Sequence, residues 1–123
     1  MSEPKTMMIN DIEYIRKEDA VKMADSVDGM KYSVIRTYSA GVHIGYFKEF
    51  AKNNPQQTTL LNSRRLHGWN GACSLSQVAL DGVAEGSRIA MEVPEIILTD
   101  VIEVIPCSEK AAEFFKVAKA WKK

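Results

Sequence analysis

The spacing of apolar positions switches between period two and helical spacing several times along the chain, and each switch marks an element. Residues 1–8 are polar and aperiodic and read as a mobile leader. Met8 to Ile15 alternates, which predicts a short strand. Lys17 to Asp28 carries Ala20, Val21, Ala24 and Val27 at helical spacing, with Gly29 as the stop, and predicts an N-terminal amphipathic helix of about three turns. Lys31 to Tyr38 alternates as a strand, Ser39-Ala40-Gly41 turns the chain, and Val42 to Phe50 returns with Val42, Ile44 and Tyr46 on one face. The polar stretch Lys52-Asn53-Asn54-Pro55-Gln56-Gln57 reads as the next hairpin loop, and Thr58 to Leu66 as a strand that Gly68 and Gly71 break.

From Ser74 the period is helical again: Leu75, Val78, Ala79 and Leu80 predict a helix of about two turns, capped by Ser74 and ended by Gly82. Gly86-Ser87-Arg88 is a loop. Ile89 to Val93 predicts a strand that Pro94 limits, and Ile96 to Ile105 another, with Ile102 and Val104 turned to the core. Ser108 caps a last helix whose apolar stripe is Ala111, Phe114, Phe115, Ala118 and Trp121. The predicted fold is therefore α+β, a single domain over residues 9–123. It is a mostly antiparallel curved sheet or small open barrel with an N-terminal helix, a short inserted helix and a C-terminal helix. The C-terminal stripe packs on the sheet or on a second subunit, and the first is the ordinary fate of such a face.

Composition narrows the function classes. A chain of 123 residues, 46% hydrophobic and 26% charged, can bury a core of its own. Sixteen basic and sixteen acidic side chains cancel, which argues against general nucleic-acid binding and against attachment to an anionic membrane. No run approaches the roughly 20 apolar residues that span a bilayer, so a cytoplasmic protein is expected. Cys73 and Cys107 form no ligand pattern, and His43 and His67 have no paired spacing, so neither a metal nor a disulfide is expected. P-loop, dinucleotide, HExxH and GxSxG signatures are all missing, which weakens an enzymatic reading and gives no cofactor. Cys73 lies near a helix start without a base at readable spacing, and Asp11, Glu13 and Glu18 read as a solvated acidic face.

Candidate chemistry concentrates between Asn62 and Gln77. Period two places Arg65, His67 and Trp69 on one face of a strand, with Arg64 and Leu66 on the other. A guanidinium, an imidazole and an indole side by side suit a planar anion, since arginine grips phosphate bidentately and tryptophan stacks. Asn70, and the helix start with Ser74, Ser76 and Gln77, add polar groups and backbone N–H donors for a phosphate. The ligand-binding candidates are thus Arg64, Arg65, His67, Trp69, Asn70, Ser74, Ser76 and Gln77. Each has a plainer reading beside it: ion-paired arginines on a strand surface, a core-closing tryptophan, a serine that is a helix cap first.

Three blocks carry a resemblance: Arg36-Thr37-Tyr38-Ser39-Ala40-Gly41-Val42, then Asn62 to Leu66 leading into Trp69 to Gln77, then Glu103 to Ala111. In this order they resemble a family of small uncharacterised proteins encoded by tailed bacteriophages and prophages, over about residues 31–121. Members often carry aromatic residues between the arginines and the tryptophan, where this chain has Leu66-His67-Gly68. The resemblance implies a phage origin and no particular activity.

Two function classes follow. One is a non-enzymatic phage accessory protein that binds a small anionic or nucleotide-like molecule around Arg64, Arg65 and Trp69, in its sharpest form sequestering a host-defence signal. The other is a protein–protein adaptor, or an inhibitor of a host protein, that has no small-molecule ligand and uses the Phe114, Phe115 and Trp121 stripe as its interface. A homo-oligomer is expected in either case, because pockets in small domains often form between subunits.

Overall fold

A computed structural model describes residues 21–121. Five pairings, all antiparallel, build one six-stranded sheet from β1 (Lys31–Thr37), β2 (Val42–Phe47), β3 (Thr58–Gly68), β4 (Arg88–Ile89), β5 (Val93–Leu98) and β6 (Val101–Pro106). The order is β4-β3-β2-β1-β6, with β5 on the edge of β3 that it shares with β4. Among the described residues two helices accompany it, α1 (Leu75–Asp81) and α2 (Glu109–Val117).

The α+β expectation with three helices is corrected on this point. Within Lys17–Asp28, the described residues 21–28 are not helical. Met23 bridges Ser108, and Ala24 N–H donates to the Cys107 carbonyl at 3.2 Å. Val27 and Met30 exchange two backbone hydrogen bonds of 2.9 Å around Asp28 and Gly29, both at positive φ. Asp-Gly is the pair that a type I′ hairpin turn requires, so the glycine makes a turn instead of stopping a helix. The short predicted strand Met8–Ile15, the leader and residues 17–20 lie outside the described residues.

The sheet is open and strongly coiled. Four pairings separate β5 from β6, about 19 Å in a flat sheet, yet Leu98 and Val101 are three residues apart, a reach of roughly 11 Å. Coiling reconciles the two: Tyr38 N–H donates to the Asp100 carbonyl at 2.9 Å, and Val101 N–H donates to the Gln56 carbonyl at 3.0 Å. Ile35, Leu60, Leu98 and Val101 are buried inside the coil, with Phe47, Phe50, Ile96 and Val104 against them. β5 and β6 do not pair, so among the described residues the sheet is not closed.

The opposite face carries the helices. Tyr32, Val34, Ile44, Leu66 and Ile89 meet Val78, Ala79, Ala111, Ala112 and Phe115. Ser74 caps α1 by accepting from Gln77 N–H at 3.2 Å, and Ser108 caps α2 by accepting from Ala111 N–H at 3.0 Å. Ser108 also donates to the Leu80 carbonyl at 2.6 Å, which ties the two helices together.

Three further expectations shift. Pro94 lies inside β5, where an edge position spares the missing N–H. Ile102, expected in the core, is exposed, because a register shift between Arg36 and Thr37 pushes it out of the pairing. α2 ends at Val117, so Trp121 leaves the helical stripe and crosses toward β4.

Candidate functional site

Adjacent residues of β3 go to opposite layers, and this alternation sorts the predicted site. Arg64 pairs with Ile44 and points into the helical side, where it is 4% exposed. Its Nε donates to the Ala90 carbonyl at 2.9 Å, and its Nη1 donates to the carbonyls of Phe115 at 2.7 Å and Ala118 at 2.6 Å. A guanidinium thereby satisfies carbonyls that the end of α2 would leave open, at the pole of the helix dipole that favours a cation. Arg64 is a clamp between sheet and helix, away from solvent.

Arg65 pairs with His43 on the other face and is exposed. Among the described residues no carboxylate stands within ion-pair distance of it. His67, two residues on, shares the face. With His43 and Ser63 these side chains form the polar wall of a groove of about 240 Å³, and Met91, Val93 and Ile96 form its apolar wall. The groove opens on the side of the sheet away from α1 and α2, next to the core inside the coil.

His43 is the buried member, 1% exposed. Its Nε2 donates to the Ala40 carbonyl at 2.9 Å, which leaves Nδ1 as an acceptor without a partner among the described residues. Burial pushes the imidazole pKa below its usual value, with Arg65 and His67 reinforcing the shift, while the Ala40 bond and Asp100 oppose it. At neutral pH the ring is uncharged, so Arg65 is the fixed cation of the groove.

The other predicted residues do not join this group. Trp69 lies beyond the end of β3, after a register shift between Leu66 and Gly68, and packs half-buried against the helical-side core. Asn70 clasps a neighbouring loop: its N–H donates to Ser87 Oγ at 2.9 Å, and its carbonyl accepts from Ala84 N–H at 2.8 Å. Ser74 and Gln77 serve the start of α1, where Gln77 Oε1 also accepts from Cys73 N–H at 3.0 Å. Ser76 is exposed on that helix. α1 has seven residues, its Gln77 N–H is taken by the Ser74 cap, and none of its residues lines the groove.

Hydrogen bonding also separates the groups that resemble catalytic ones. Ser39 Oγ donates to the Asp100 carboxylate, while His43 is turned to a backbone carbonyl, so the hydroxyl and the imidazole do not face each other. Burial raises the Cys107 thiol to about 12. Cys73 is exposed, with its Sγ 3.1 Å from Gln77 Oε1.

His43, Ser63 and the β5 wall were outside the sequence reading of the site. The signal that could have found His43 is the hairpin register, since the turn at Ser39-Ala40-Gly41 and the strand through Arg65 place it across from that arginine. Among the described residues no helix is long and apolar enough to cross a membrane. Neither a curated protein nor a solved structure matches the chain. Residues 30–115 match the family model described as Domain of unknown function (DUF6948), and the chain belongs to that family.

Proposed function

We propose that this chain is a non-enzymatic binding protein that holds a small anionic, nucleotide-like ligand in the groove beside Arg65. The observation that carries the reading is Arg65 itself, an exposed guanidinium with no carboxylate partner among the described residues, at the edge of a groove with an apolar wall. A guanidinium in that setting takes a carboxylate or phosphate through two parallel hydrogen bonds. The resemblance of the sequence blocks to phage-encoded proteins supports a role during infection, with the ligand a host-defence signal held out of circulation. Calorimetry at low salt against pyrophosphate, adenosine diphosphate ribose and cyclic dinucleotides tests this. Binding of at least one, weakened tenfold or more in Arg65→Gln and unchanged in Lys110→Gln on the helical side, is expected. Absence of heat throughout, or an Arg65→Gln protein that binds as before, defeats the reading.

A second reading, a protein–protein contact, rests on exposed Ile97 and Ile102 and on the outer edges of β5 and β6, which are unpaired among the described residues. Light scattering that gives a dimer, dissolved by Ile97→Glu, favours it.

A further inference from the structure

Trp121 is the aromatic residue of the C-terminal stripe that helix packing does not use. Its backbone N–H donates to the Ile89 carbonyl at 2.8 Å, which ties the segment after α2 to β4, and the residue stays 43% exposed. The His67 ring lies 5.5 Å from its indole, and Arg88 Cζ lies 5.5 Å from the indole centroid. Gly68 makes room for that guanidinium, because a Cβ there would come within 2.9 Å of Arg88 Nη2. His67 belongs to the groove wall as well, so the surface from Arg88 through Trp121 and His67 to Arg65 is continuous. Like Arg65, Arg88 has no carboxylate within ion-pair distance among the described residues.

Exposed tryptophan and arginine planes flanking a cationic groove are the elements that hold an unstacked base next to its phosphate. Arg65 and His67 stand about 7 Å apart along one strand face, a span that one nucleotide covers from base to phosphate. We propose that Trp121, His67 and Arg88 form the base-stacking end of the site. The ligand is then a nucleoside phosphate, with its phosphate at Arg65 and its base on the Trp121 indole. This rests on the reading of the groove as an anion site. The ligand is either a free nucleotide or a unit of a single strand, and both present the same chemistry.

Titration with adenosine monophosphate and with ribose 5-phosphate separates the base from the phosphate. Adenosine monophosphate should bind at least tenfold more tightly and quench indole fluorescence. Trp121→Ala should reduce its affinity to that of ribose 5-phosphate, and Trp121→Phe should restore most of the difference. Equal affinity of the two compounds, with both lost in Arg65→Gln, overturns the stacking site and leaves the anion groove standing. Failure of both compounds to bind overturns the stacking site, and the groove falls with it if pyrophosphate, adenosine diphosphate ribose and cyclic dinucleotides also give no heat. Once the base preference is seen, a short oligoadenylate that binds more tightly than the mononucleotide assigns the ligand to single-stranded nucleic acid; equal or weaker binding assigns it to a free nucleotide.

Discussion

Arg64 and Arg65 are consecutive in the chain and opposite in role: one is buried with three backbone carbonyls on its guanidinium, the other is exposed at the lip of a groove. Removing Arg64 leaves carbonyls of Ala90, Phe115 and Ala118 without a donor in a desolvated place. Arg64→Ala should therefore cost about 3 kcal/mol or more, and Arg64→Lys should recover part of that, because an ammonium cannot span all three. Arg65→Ala should stay within about 0.5 kcal/mol of the parent. Urea unfolding of the three variants measures this, and equal losses at the two positions would be inconsistent with the division.

The buried imidazole makes stability depend on pH. His43 has a folded pKa below its unfolded value of about 6.5, so the unfolded chain binds the extra proton first. Its contribution is complete above pH ~6.5 and is lost as pH falls from there toward the folded pKa, at up to about 1.4 kcal/mol per pH unit. His43→Phe keeps the bulk of the ring and removes the titration. Unfolding free energies taken from pH 8 to pH 5 should fall more steeply for the parent than for this variant, and parallel profiles would exclude His43 as the source.

Much of the sheet was legible because its signals are local. The strand through Val34 and Ile35, the turn at Gly41, the cap at Ser74 and the stop at Gly82 all follow from period and turn chemistry. The apparent helix over Lys17–Asp28 failed in its described part for the same reason in reverse, since Asp28-Gly29 is a stronger turn signal than four apolar positions are a helix signal. The site was legible only in part. Alternation put Arg65 and His67 together correctly, but it also carried Trp69 along, and a register shift at the end of β3 sends that residue to the core. The β5 wall comes to the groove by the pairing of β5 with β3, and Trp121 comes beside His67 through its backbone bond to Ile89, both long-range consequences that no local pattern holds.

Ser74 distinguishes a cap from a ligand contact. Its Oγ already accepts from Gln77 N–H and it lies outside the groove lining. Ser74→Ala should cost about 1 kcal/mol of stability and leave ligand affinity unchanged. A loss of affinity without a loss of stability would return the start of α1 to the binding site.

Gly71 fixes the loop that follows β3, and its two constraints can be separated. Its φ of +83° is one that a side chain disfavours, and an added Cβ would sit 2.5 Å from Ala84 Cβ, across the junction where Ala84 N–H donates to Asn70. The backbone conformation alone costs a non-glycine residue about 1–2 kcal/mol, and the steric conflict adds to it. Gly71→Ala should thus lose about 3 kcal/mol, in the range of overpacked interiors. In the Gly71→Ala/Ala84→Gly double variant the 2.5 Å methyl contact is gone, while the strain at φ and the approach to the backbone N and Cα of residue 84, at 3.1 and 3.3 Å, remain. After correction for Ala84→Gly alone, the double variant should recover the part due to that methyl contact and retain a deficit of about 1–2 kcal/mol or more. If thermal or urea unfolding finds the two changes additive, contact with Ala84 is not what requires glycine here.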